Sequence, residues 1–134
     1  MNYHPLLIYL TVGPLISAYL SYFLYFTVLR SFSFPFYFGV VNHAASSLLI
    51  IGVVLTGLSA EKLEYVQQKV SFILMTPHKW LGLSLAILTI ISFIYFWMKQ
   101  LDSERRAGIL ISLVGLILTL TVLILGWQLR LIFF

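Results

Sequence analysis

The 134-residue chain contains no cysteine, and only 9% of its residues are charged. The first absence excludes disulfides, thiolate metal sites, iron–sulfur clusters and covalent c-type haem attachment. The second excludes an ordinary soluble domain, which carries about 25% charged residues to cover its surface. All four carboxylates (Glu61, Glu64, Asp102 and Glu104) fall between long apolar runs, and no Lys, Arg, Asp or Glu lies in the middle of one. Ion-coupled transporters and proton pumps generally need ionisable groups inside the membrane, so transport ranks low. There is also no Gly-rich phosphate loop, no HExxH and no serine placed with a base and an orienting acid, which argues against a conventional hydrolase. A net charge of +4 favours anionic headgroups at most and gives no argument for nucleic acid as a partner.

What is present is apolar: 61% of residues are hydrophobic and the mean hydropathy is +1.04. A hydrocarbon core of about 30 Å needs roughly 20 apolar residues per helical span, and four runs qualify: 6–29, 39–59, 78–98 and 108–129. They are too long and too leucine-rich for barrel strands of about 10 alternating residues. The expected fold is therefore all-α, an integral membrane four-helix up-down-up-down bundle, with residues 1–134 forming a single transmembrane domain. The first run has no basic region before it and no small-residue cleavage site after it, so it is expected to stay in the mature protein. Both termini then share one side. Lys and Arg divide four against four between the two sides, so the positive-inside rule assigns no orientation.

Between the second and third runs, Leu63, Val66, Val70 and Leu74 recur at helical spacing among charged and amide residues, which predicts an interfacial amphipathic helix over 60–75. Pro14 is expected to kink the first helix. Trp80, Trp97 and Trp127 sit near span ends, as interfacial aromatics do. Small residues four apart, such as Gly13 with Ser17, Gly52 with Thr56 and Gly82 with Ala86, suit close helix approach. The tyrosines of the first span (Tyr9, Tyr19, Tyr22 and Tyr25) read as aromatic bulk on a lipid-facing helix.

The chemistry that remains belongs to histidine. His4 opens the first span and His78 the third, so an up-down path brings both to one side at similar depth; the prolines beside them, Pro5 and Pro77, fit helix starts. His43 opens the second span on the other side, where no second imidazole is available. A b-type haem in a helix bundle needs two imidazoles from different helices and small residues where the ring lies against backbone. His4 and His78 meet the first need, as axial ligands of the haem iron. Gly57, Gly82 and Gly126 cluster at the depth that such a haem would occupy. Its propionates would face Lys79, Lys62 or Arg130, and Trp127 would line the ring. Interfacial or structural roles for the same histidines remain open at this point.

The order of features His4-Pro5-Leu6-Leu7, Leu55-Thr56-Gly57-Leu58, His78, Leu113-Val114-Gly115-Leu116 and Leu125-Gly126-Trp127 resembles the prokaryotic family of small four-span membrane proteins catalogued as domain of unknown function 2231. The resemblance covers nearly the whole chain. It implies the four-span architecture, a prokaryotic cell membrane, and an importance for the HP opening at His4 and for His78. The chain departs from the family pattern after Gly126-Trp127, where Gln128-Leu129-Arg130 leads into Leu131-Ile132-Phe133-Phe134 instead of further glycines and a polar tail. The family carries no established activity.

The leading expectation is thus a small membrane-embedded b-type haem protein relaying electrons, more an electron-transfer or complex subunit than a stand-alone enzyme. Its partners would be membrane lipid and a redox partner such as quinol or a larger redox complex. A homodimer sharing one haem between chains is left open. The alternative is a cofactor-free structural or assembly subunit of a larger membrane complex. A zinc site on the two imidazoles ranks lower, because its first shell would be incomplete.

Overall fold

The computed structural model describes residues 3–62 and 72–133, and among these the chain forms four long helices and no strand. They are α1 (His4–Thr27), α2 (Phe34–Glu61), α3 (Phe72–Lys99) and α4 (Arg105–Phe133), with one 3-10 turn, Gln100–Asp102, between α3 and α4. Each helix contains a window apolar and long enough to cross a membrane, and the protein is an all-helical membrane protein with four transmembrane helices. Pro5 and Pro35 lie in the first turns of α1 and α2, where the missing N–H removes no helical bond.

The helices overrun the apolar windows. α2 begins at Phe34 and α3 at Phe72, ahead of the runs 39–59 and 78–98 read from the sequence. Pro77 therefore lies inside α3, as its sixth residue counted from Phe72, and not at the helix start expected for it. Most of the amphipathic segment expected over 60–75, residues 63–71, lies outside the described residues.

Neighbouring helices run antiparallel. The start of α1 meets the end of α2 where His4 bonds Thr56, and the start of α3 meets that same end through Lys79 and Glu61. The start of α4 meets the end of α1 where the Arg105 guanidinium donates to the Phe26 carbonyl at 2.9 Å. α1 and α3 each pack against both α2 and α4, so chain order is also the order around the bundle. Near the turn into α4, Gln100 adopts a left-handed backbone (φ 47°), and the Ser103 N–H and hydroxyl both bond its carbonyl at 3.1 and 2.6 Å.

The core is built by rings from α1. Tyr19, Tyr22, Tyr25 and Phe26 are buried, together with Phe36 of α2 and Phe96 of α3. This corrects the expectation of lipid-facing tyrosines: of the four, only Tyr9 is exposed. The reason is steric complementarity with glycine. A Cβ at Gly39 of α2 would come within 2.8 Å of the Tyr22 ring, one at Gly115 of α4 within 2.5 Å of Tyr19, and one at Gly108 of α4 would collide with Phe26. Each ring lies against bare backbone, which gives the close van der Waals packing that holds helices together when lipid offers no hydrophobic drive. Gly13, Gly52 and Gly82, from the expected small-residue pairs, have no such tight neighbour.

Several hydroxyls inside the bundle are satisfied locally, whereas the buried Ser47 Oγ has no partner among the described residues. Thr11, Ser46, Ser112 and Thr119 each donate to the carbonyl four residues earlier, which keeps polar atoms paired without needing water.

Candidate functional site

At the end of the bundle where α1 and α3 begin, the four helices enclose a cavity of about 390 Å³, within the range typical of small-molecule pockets. His4, Gly57, His78, Lys79, Gly82, Gly126, Trp127 and Arg130 all line it, so the topology brings together eight of the nine residues singled out from sequence, and Lys62 is not among the lining residues. Its deeper wall is largely apolar, with Leu15, Ile50, Leu85 and Val122 among the lining residues and Thr11 and Thr119 contributing hydroxyl-bearing side chains.

The two histidines are held in similar ways. His4 approaches Thr56 of α2 with Nδ1 3.1 Å from Oγ1. The Thr56 hydroxyl donates to the Gly52 carbonyl at 2.8 Å, so its oxygen accepts and the His4 Nδ1 carries the hydrogen. The His4 ring lies against Gly57, where a Cβ would sit 2.8 Å from Cε1. Across the bundle the His78 ring lies against Gly126, where a Cβ would sit 3.0 Å from Cε1. The His78 Nδ1 is buried with no hydrogen-bond partner among the described residues. Gly57 and Gly126 thus make room for imidazoles, whereas the position of Gly82 would accept a Cβ at an ordinary 3.9 Å from Val122.

The charged residues sit at the cavity's mouth. Lys79 pairs with Glu61 at 3.0 Å, both about one-third exposed, which ties α3 to the end of α2. Arg130 donates from Nη1 to the Tyr9 hydroxyl at 2.9 Å, tying α4 to α1. Trp127 is more than half exposed. Among the described residues, no group of three or more His, Asp or Glu side chains is placed to hold a metal ion.

A second polar cluster lies in the other half of the bundle, and sequence reasoning assigned it no role. His43 is fully buried. Its Nε2 donates to the Thr89 carbonyl of α3 at 2.8 Å, which leaves Nδ1 to accept from the Tyr22 hydroxyl of α1 at 2.9 Å. The Tyr19 hydroxyl lies 3.3 Å from Thr89 Oγ1 and 3.5 Å from Ser92 Oγ. One imidazole therefore joins three helices, with both nitrogens satisfied. The signal in the sequence was the polar set Tyr19, Tyr22, His43, Thr89 and Ser92 at similar depth in three spans.

No curated protein and no solved structure matches the chain. The family described as predicted membrane protein (DUF2231) matches residues 1–133, and the chain belongs to that family.

Proposed function

We propose that the protein binds a b-type haem in the cavity between His4 and His78 and relays electrons as a small cytochrome-like subunit. Its setting would be a prokaryotic cell membrane, with both termini on the cavity side and with quinol or a larger redox complex as electron partner. The observation that carries the proposal is the placement of imidazoles from α1 and α3 on one largely apolar cavity, one of them with a buried nitrogen that lacks a hydrogen-bond partner among the described residues.

The donor set suits this group. Two imidazoles fall short of the four ligands that a structural zinc ion takes, but two are sufficient for an iron whose remaining positions a macrocycle fills. Bound haem would supply one-electron chemistry. The protein's own contribution is positional. Thr56 fixes the His4 tautomer by accepting from Nδ1, the kind of outer hydrogen bond that orients a ligating histidine. Gly57 and Gly126 set how far each imidazole withdraws into its helix. Leu15, Ile50 and Leu85 keep water from the inner wall, and Lys79 and Arg130 place positive charge where carboxylates would emerge.

The test is the absorption spectrum of detergent-purified protein from haem-replete cells, oxidised and dithionite-reduced, beside His4→Ala and His78→Ala. A Soret band with sharp reduced α and β bands, lost in both variants while helicity persists, is the expected result. A colourless, folded wild-type protein would refute it. The second reading, a cofactor-free structural or assembly subunit, draws on the seating of the same imidazoles against Gly57 and Gly126, which gives each ring a packing role. It expects both alanine variants to retain binding to the partner complex.

A further inference from the structure

A second pocket adjoins the cavity at the same end of the bundle and shares Tyr9, Trp127 and Arg130 with it. Tyr9 of α1 and Trp127, Arg130 and Leu131 of α4 line an outward pocket of about 310 Å³. Each is on the surface, and the aromatic and leucine side chains are about half exposed or more. The Arg130 guanidinium donates to the Tyr9 hydroxyl, and no carboxylate among the described residues pairs with it. The ion pair among the described residues joins Lys79 to Glu61, and the remaining described carboxylates, Asp102 and Glu104, follow α3 at the opposite end.

The hydrogen-bonding character of the pocket is one-sided. A guanidinium has five N–H donors and no acceptor, and one donor is used on Tyr9. The Tyr9 oxygen accepts from Arg130, which leaves its own O–H to donate. The Trp127 indole brings another donor and no acceptor. The side chains thus offer donors around a full positive charge, beside apolar surface from Leu131 and the exposed Leu6 and Leu10 of α1. An oxyanion with an attached hydrocarbon chain satisfies both halves at once.

We propose that the Tyr9–Trp127–Arg130 pocket binds an anionic phospholipid, with a phosphate oxygen on the Arg130 guanidinium and the Tyr9 hydroxyl and an acyl chain along α1 and α4. Charge complementarity selects this occupant. A juxtamembrane cation contributes roughly a fivefold preference for anionic over zwitterionic lipid, and a planar guanidinium adds directional bonds to phosphate. Tyr9, Trp127 and Arg130 also line the inner cavity, so a lipid phosphate would share the Arg130 guanidinium with any group bound there, but the lipid contacts themselves need no occupant in that cavity.

The experiment uses full-length protein in phosphatidylcholine vesicles containing a minor fraction of brominated phosphatidylglycerol, or of brominated phosphatidylcholine as reference. Bromine quenches nearby indoles. One protein keeps Trp127 alone (Trp80→Phe, Trp97→Phe), and a control keeps Trp80 alone, at the same end of the bundle on α3. Trp127 should be quenched several-fold more efficiently by the phosphatidylglycerol, Trp80 should show a smaller difference, and Arg130→Gln should abolish the Trp127 preference. Arg130→Lys, which keeps the charge but loses the planar fork, should retain part of it. Equal quenching of Trp127 by the two lipids would overturn the proposal. So would equal preference at Trp80, or a preference that survives Arg130→Gln in protein of unchanged helicity.

Discussion

The seating of α1 rings on glycine backbone makes Gly115→Ala a sensitive probe of the fold. The new Cβ would lie 2.5 Å from Cε1 and Cζ of Tyr19, whereas carbon atoms rest at about 3.5–4.0 Å. The ring must therefore retreat by about 1 Å. It has little freedom to do so: Tyr19 is fully buried, its hydroxyl sits between Thr89 and Ser92, and its ring centroid is 5.5 Å from that of His43. Overpacking of this kind costs about 1–3 kcal/mol, and a weakened interhelical hydrogen bond adds about 0.6 kcal/mol. Replacing glycine by alanine within a helix returns up to about 1 kcal/mol. The net expectation is a loss of about 1–2 kcal/mol. Gly13→Ala is the matched control, because nothing lies within 4 Å of its Cβ position, and it should leave stability unchanged or raise it slightly. Unfolding by sodium dodecyl sulfate from a mild detergent, followed by circular dichroism, would measure both. If Gly115→Ala proved as stable as Gly13→Ala, the packing of Tyr19 against Gly115 would not hold α1 to α4 as described.

Other sites give equally direct expectations. His43→Ala should cost about 2–4 kcal/mol in the same titration, because it leaves the Tyr22 hydroxyl buried without its partner, removes one of the bonds to the Thr89 carbonyl, which keeps the Ser92 hydroxyl, and opens a cavity. Tyr22→Phe, which loses one bond and keeps the packing, should cost about 0.5–1.5 kcal/mol, and a neutral His43→Ala would show that the cluster does not join the helices. Gln100→Gly should stabilise the protein by up to about 1 kcal/mol, since it removes a side chain from a left-handed backbone position; a loss of stability would contradict that. If haem is bound, Gly57→Ala should displace the His4 ring and shift the Soret band or lower haem content, while Gly82→Ala, with no contact closer than 3.9 Å, should match wild type. Identical spectra for the two would detach His4 from the iron.

The number of spans and their antiparallel order were legible because length and hydropathy fix both. Their ends were less legible: Phe34 to Phe38 and Phe72 to Pro77 continue helices outside the most apolar windows. The convergence of His4 and His78 on one cavity also followed from topology, since each lies near the start of a helix that begins on the same side. The burial of Tyr19, Tyr22 and His43 did not. In a helix that is apolar all round, lipid and core select nearly the same residues, so hydropathy does not mark the face that turns inward. The marks that do exist are Gly39, Gly108 and Gly115, but a glycine seating a ring and one facing lipid look alike in sequence, as Gly13 shows.

The most direct measurement of the central claim is the haem content of the wild-type protein, purified in mild detergent and quantified by the pyridine haemochrome reaction against protein concentration. A b-type spectrum approaching one haem per chain is predicted, or one per two chains if a dimer shares the group. Folded protein from haem-replete cells with no haem would contradict the claim and leave His4 and His78 with the packing role that Gly57 and Gly126 give them.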